Sequence, residues 1–243
     1  GFEVGAVDYV TKPFNAAELL SRVQTHVQLR AAREKLASLA GQLARYLSPQ
    51  VHARIFSGER PALPGNRRRP LTVFFSDIVG FTARTEAMGD AELAAWLNDY
   101  LARMARIAQR HGGTLDKFIG DAVMVFFGDP STEGVAEDAR RCVRMAVEMT
   151  GEARACGAEI RTGIHSGECV VGNFGSEEQM NYTIIGTVVN AAARLQAASE
   201  PGRILLSDAT RNLLGDSFRF QDRGPVTLRG ILHPIHTFWL QTE

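Results

Sequence analysis

The sequence predicts an α+β fold, a mostly antiparallel sheet carrying helices, preceded by a long helix. Three observations predict it. From Leu71 onward, short runs rich in β-branched and aromatic residues alternate with helix-length segments in the order β-α-β-β-α-β. Two of those runs, near 114–119 and 122–127, are separated only by Gly120-Asp121, a hairpin signal. Upstream, Leu29, Ala32, Leu36, Leu39, Leu43 and Tyr46 alternate by three and four, the seam pattern of a short parallel coiled coil.

Composition narrows the classes. A chain of 243 residues holds one large domain, or one domain and an appendage. An apolar fraction of 45% suits a globular protein, and 27 acidic against 27 basic residues leave no net charge. That balance argues against a general nucleic-acid binder or a polybasic membrane tether. No apolar run reaches the length of a membrane span. The chain opens on Gly1 with no secretory leader, so it is expected to be a piece of a longer cytoplasmic protein. Cys142, Cys156 and Cys169 make no CxxC pair and read as reduced thiols.

The elements follow in order. Val7–Val10 reads as a strand and Thr11-Lys-Pro-Phe14 as a turn. Asn15 is an N-cap, and Leu19, Leu20, Val23 and Val27 give the next helix an apolar face. Ser48-Pro49 ends the long helix, and Gly58 to Pro70 reads as a loop in which Arg67-Arg68-Arg69 is solvated charge. A strand over 71–77 leads to a helix near 90–110, stopped by Gly112-Gly113. The hairpin follows, then a helix near 135–150 and strands near 158–165, 168–174 and 181–185. A helix from about 188 to 198 ends at Pro201-Gly202, and short strands near 203–206, 217–222 and 235–240 close the chain. This order predicts a ferredoxin-like sandwich with helices on one face of the sheet.

Two segments carry the chemistry. Thr72–Thr82 and Leu115–Phe127 each run a β-rich apolar stretch against one carboxylate, Asp77 and Asp121. Two strand-end aspartates brought together make a hard oxygen site for a divalent cation, and Mg²⁺ so held also binds substrate phosphates. The loop Ile78–Thr82 follows Asp77 directly, and its Gly80 permits close backbone approach, so N–H groups there can cradle phosphates. Asn190 and Arg194, four apart, share one helix face.

Phe75-Ser-Asp-Ile-Val-Gly-Phe-Thr82, Lys117-Phe-Ile-Gly-Asp121, Gly163-Ile-His-Ser-Gly-Glu168 and Tyr182–Arg194 together resemble the class III nucleotidyl cyclase catalytic domain, in that family's order. The resemblance implies an adenylyl cyclase that converts ATP to 3′,5′-cyclic AMP and pyrophosphate with two Mg²⁺ (or Mn²⁺) ions per site. Asp77, Asp121 and the backbone of Ile78 would hold the metals, and Gly80, Phe81 and Thr82 the phosphates. Asn190 would position the ribose, and Arg194 would stabilise charge on the α-phosphate. Lys117 and Thr183 match the pair that reads the base: a lysine donor to adenine N1 and an acceptor from the 6-amino group select ATP. The commonest adenylyl pattern has Asp where Thr183 stands, and the Thr form resembles a subgroup associated with bicarbonate stimulation. Thr187 is a second departure, with no role attached. Arg229 is the nearest candidate for a further triphosphate contact, while His165, His233 and His236 read as structural. In the family, aspartates from one protomer meet base-reading and Arg/Asn residues of the other, which implies a homodimer with shared sites.

Gly5–Phe14, with the helix it leads into, resembles the last strand and last helix of a response-regulator receiver domain, with Lys12 at that family's phosphoryl-contacting lysine. The expected organisation is a receiver remnant over 1–28, a coiled-coil helix and linker over 29–69, and the cyclase domain over 70–243, in a two-component-linked signalling protein. The rivals are a guanylyl cyclase, disfavoured by Lys117, and an inactive cyclase-like dimerisation or nucleotide-sensing module. A diguanylate cyclase would need a Gly-Gly-Asp/Glu-Glu-Phe hairpin, and Phe118-Ile-Gly-Asp-Ala122 stands there instead.

Overall fold

A computed structural model of the chain describes residues 8, 12, 13, 15–43, 66–176 and 180–242. The chain divides into two compact units, Gly1–His52 and Ala53–Glu243.

The described part of the first unit is essentially one helix, α1 (Ala16–Leu43). Asn15 caps it: its Oδ1 accepts the Ala17 N–H at 2.8 Å. Glu18, three residues beyond the cap, pairs with Arg22 at 3.0 Å instead of reaching back to the cap. The apolar side chains of α1, among them Leu20, Val23, Val27 and Leu36, stand exposed. Most of the receiver-like stretch 5–14, and Tyr46, lie outside the described residues.

The second unit is built on an eight-stranded sheet. In chain order it runs β1 (Arg67–Ile78), α2 (Phe81–Ala87), α3 (Asp90–Arg110), β2 (Thr114–Ile119), β3 (Ala122–Phe127), α4 (Val135–Ala155), β4 (Ile160–Gly175) and β5 (Met180–Ile185). Then follow α5 (Thr187–Ala198), β6 (Ile204–Ser207), α6 (Asp208–Leu214), a 3-10 turn at Gly215–Ser217, β7 (Phe220–Val226) and β8 (Ile235–Leu240). The strand order is β2-β3-β1-β4-β6-β8-β7, with β5 paired to the far end of β4. All neighbours are antiparallel except β4 and β6. Strands β4-β1-β3-β2 with α3 and α4 reproduce the expected β-α-β-β-α-β core.

The sheet is covered on both faces. On one, Phe74, Ile78, Val123, Val125 and Phe127 pack against Tyr100, Met104 and Ile107 of α3 and Cys142, Met145 and Met149 of α4. On the other, Val73, Phe75, Met124 and Phe126 pack against Val188 and Ala192 of α5. The expectation of helices on one face therefore holds for α3 and α4 and fails for α5. Helix α5 comes this close because of two glycines. A Cβ on Gly163 would lie 2.1 Å from the Gln196 nitrogen, and one on Gly167 would lie 2.7 Å from a Val188 methyl.

Other expectations shift. The strands expected at 158–165 and 168–174 are one continuous β4, since Gly167 continues the ladder opposite Leu71. Residues 67–70 are strand, paired with 168–171, and not loop. Arg67 is not solvated charge: its guanidinium lies 2.6 Å from the buried Asp129 carboxylate. Cys142 and Cys169 are buried, Cys156 is half-buried, and all three are free.

Candidate active site

The first cluster forms where β1 ends. Asp77 and Ile78 close that strand, and Asp121 sits in the β2–β3 turn, immediately before β3 and after Gly120, whose φ of 64° favours glycine. The Ile78 N–H donates to Asp121 Oδ2 at 3.0 Å. Arg161, opposite Asp77 on β4, donates to Asp77 Oδ2 at 3.0 Å. Burial, followed by the neighbouring Asp77 carboxylate, pushes the Asp121 carboxyl up to about 6, against the pull of the Ile78 N–H. Tyr100 lies buried behind this corner. Burial, with the Asp121 charge next, raises its phenol further.

Gly80 follows in the left-handed conformation, φ 70°, and opens α2. The first helical bond runs from the Arg84 N–H to the Gly80 carbonyl at 3.1 Å. The N–H groups of Phe81 and Thr82 are therefore left without an intrahelical acceptor. Arg84 anchors α2 from beneath, donating to the Gly157 carbonyl at 2.6 Å and lying over the Trp96 ring.

A second cluster joins β2 to β5. Lys117 Nζ lies 3.4 Å from Thr183 Oγ1, and the Thr183 hydroxyl donates to Asp116 Oδ2 at 2.7 Å. The Asp116 side chain is only 1% exposed and lies 3.8 Å from Lys117 Nζ. Burial pushes its carboxyl up, with the Thr183 hydroxyl and Lys117 pulling it back. Consecutive strand residues normally point to opposite faces. Here a bulge between Leu115 and Lys117 brings Asp116 and Lys117 to the same Thr183 oxygen.

Asn190 and Arg194 lie one turn apart on α5, both exposed. Neither side chain makes a hydrogen bond or ion pair among the described residues. Arg229 is exposed in the turn after Leu228, apart from these clusters in the chain. His165 is packed, as expected: its Nδ1 lies 2.7 Å from Ser207 Oγ, and burial holds its pKa down. His236 pairs with Asp222 at 2.8 Å.

The structure thus brings together Asp77, Ile78 and Asp121, and separately Lys117 and Thr183. No hydrogen bond or ion pair joins the two groups among the described residues. Sequence reasoning gave Asp116 and Arg161 no role. Adjacency to Lys117 was the available signal for Asp116. Arg161 sits in a strand of mixed polarity, Ile160–Gly175, and carried no local signal.

A family model described as the adenylate and guanylate cyclase catalytic domain matches residues 64–242, and the chain belongs to that family. Among solved structures, the adenylyl cyclase CyaB from P. aeruginosa is 43% identical, with a TM-score of 0.72, over 73% of this chain and 96% of that one. The guanylyl cyclase Cya2 is 35% identical, with a TM-score of 0.68, over 72% of this chain and 93% of that one. A curated adenylate cyclase of Anabaena cylindrica is 35% identical over 140 residues, 54% of this chain and 28% of the relative. An uncharacterised Mycobacterium tuberculosis protein is 35% identical over 209 residues, 84% of this chain and 36% of the relative. The chain spans about a third of the length of the curated relatives it matches. No helix among the described residues is long and apolar enough to cross a membrane.

Class III cyclases generally use divalent metals, and the Asp77–Asp121 corner fits one. Two neighbouring carboxylates, one held above its ordinary pKa by burial and the other, form a site that a cation would relieve. No cluster of three or more acidic, histidine or cysteine ligands occurs among the described residues. Such a donor set suits a hard ion completed by water and substrate phosphates, not an all-protein cage.

Proposed function

We propose that this chain is the catalytic part of a homodimeric adenylyl cyclase that converts ATP to 3′,5′-cyclic AMP and pyrophosphate. One observation carries the choice of ATP: Lys117 Nζ and Thr183 Oγ1 stand 3.4 Å apart, presenting a donor beside a possible acceptor. Adenine offers the complementary pair, an acceptor at N1 beside a 6-amino donor. Guanine offers the reverse.

Asp77 and Asp121 hold Mg²⁺ or Mn²⁺ in this reading, with the Ile78 backbone between them. Such ions would supply neutralisation of the triphosphate and activation of the ribose 3′-oxygen. The Phe81 and Thr82 N–H groups face the β- and γ-phosphates, and Arg229 adds charge. Arg194 forks onto the α-phosphate and Asn190 orients the ribose. Both are exposed and unpartnered among the described residues, which supports their reaching a ligand held by the second protomer. The exposed Leu29, Leu36 and Leu39 of α1 support a parallel coiled-coil helix, followed by a linker, over 29–69, between a receiver remnant at 1–28 and the catalytic domain at 70–243.

Purified protein is assayed with ATP and with GTP, in Mg²⁺ and in Mn²⁺, with products identified by mass. Cyclic AMP from ATP, lost in Asp77→Ala, is the expected result. Cyclic GMP from GTP would make it a guanylyl cyclase. No product from a dimeric protein would favour a nucleotide-sensing module.

A further inference from the structure

We propose that Asp116 is a positioning residue that sets the hydrogen-bond polarity of Thr183, so that the site takes a purine with a 6-amino group and turns away one with a 6-carbonyl. This rests on reading Lys117 and Thr183 as the base-contacting pair.

A threonine hydroxyl is ambivalent: it has one proton to give and lone pairs that accept, and it rotates to suit its neighbours. Alone, Thr183 could accept from a 6-amino group or donate to a 6-carbonyl, and it would discriminate poorly. Asp116 removes that freedom. A carboxylate has no proton to give, so the 2.7 Å contact commits the Thr183 proton to Asp116 Oδ2. Lys117 can only donate, and it approaches the same oxygen at 3.4 Å. Both neighbours therefore leave Thr183 only acceptor capacity for a ligand. A 6-carbonyl would meet lone pairs, and its N1–H would meet the Lys117 ammonium.

The arrangement is built into the fold. The bulge between Leu115 and Lys117 lets two consecutive residues serve one oxygen. The Asp116 side chain is 1% exposed, so water does not compete with its carboxylate for the Thr183 proton. Thr183 is itself buried on β5, opposite Gly172 of β4.

The test uses ATP and inosine 5′-triphosphate, which carries the 6-carbonyl and N1–H without a 2-amino group. Affinities come from competition against a fluorescent ATP analogue and are compared with kcat/KM for both nucleotides. The proteins are wild type, Asp116→Ala, Asp116→Asn, Thr183→Val and the Asp116→Ala/Thr183→Val double variant, each checked by thermal melting. In Asp116→Ala the preference for ATP is expected to fall about tenfold, the scale of one misdirected hydrogen bond. Asp116→Asn, which keeps an acceptor oxygen but adds a donor, should shift it less and in the same direction. In the Thr183→Val background, removing Asp116 should leave the preference unchanged. Parallel weakening toward both nucleotides at a constant ratio would overturn the proposal and mark Asp116 as merely structural. If Asp116→Ala does not fold, an unshifted ratio in Asp116→Asn overturns it. Wild type that binds neither nucleotide, or both equally, would sink the base-reading assignment and this proposal with it, a result distinct from an unshifted ratio.

Discussion

The Ile78 N–H donates to Asp121 Oδ2 at 3.0 Å, so the last peptide of β1 fixes a carboxylate from the neighbouring hairpin. The two strand ends are thereby locked at a corner where Asp77 and Asp121 repel each other. The cost appears in Asp121, whose carboxyl is raised from 3.8 to about 6, first by burial and then by Asp77.

That shift has a defined sign. A carboxyl raised in the folded state holds its proton more tightly folded than unfolded. Its contribution to stability is complete below 3.8 and is lost as pH rises through about 6. Without metal, the melting temperature of the wild type should fall across this window more than that of Asp121→Asn. Mn²⁺ must displace the proton, so its affinity should rise over the same window in the wild type. Thermal melting and calorimetric Mn²⁺ titration at several pH values check the two in turn, and a flat Mn²⁺ affinity would remove the corner as the metal site.

Removing Asp77 strips a carboxylate from the corner and releases Arg161, which lies 3.0 Å from it. Asp77→Ala should lower turnover roughly a hundredfold or more, the scale of losing preorganised charge stabilisation. Asp77→Asn keeps the shape and should fall almost as far. Turnover within threefold of wild type in either variant would contradict the assignment.

Much of this architecture was legible from local signals. Helix α3 has a long apolar face and a Gly112-Gly113 stop, and the β2–β3 hairpin has its glycine turn. The unread parts depend on contacts distant in sequence. Strand β4 looks interrupted at Ser166-Gly167 because a glycine in a strand suggests a break, whereas this one makes room for Val188 on α5. Helices α2 and α6 have only seven residues each, too few for a periodic pattern to emerge. Asp116 was hidden by the bulge, since simple alternation assigns it to the face opposite Lys117. Arg161 takes its meaning from the register of β4 against β1, which no local pattern encodes.

Asp129 is the clearest long-range case. Its side chain is 1% exposed, takes Arg67 at 2.6 Å and accepts the Tyr182 hydroxyl. It thus ties the start of β1 to β5, next to Thr183. Asp129→Asn should destabilise the second unit by about 2 kcal/mol, below the full loss for a buried pair because Arg67 is partly exposed. Chemical denaturation measures this, and a change under about 0.5 kcal/mol would show that the pair is energetically neutral.

Shared sites make the sharpest prediction about assembly. Asp77 and Arg194 belong to different elements, and no contact links them among the described residues. In the proposed dimer each site takes Asp77 from one protomer and Arg194 from the other. Asp77→Ala and Arg194→Ala homodimers should both be inactive, having lost a group at both sites. A heterodimer of the two carries both lesions at one site and none at the other. Equal co-expression with free exchange makes half the dimers mixed, each with one intact site of two, so about a quarter of wild-type activity should return. The rescued activity should follow the heterodimer fraction, read by differential tags, as the mixing ratio changes. Activity that stays at the level of the parent variants, with heterodimers present, would place Asp77 and Arg194 in the same site of one protomer and require a different dimer.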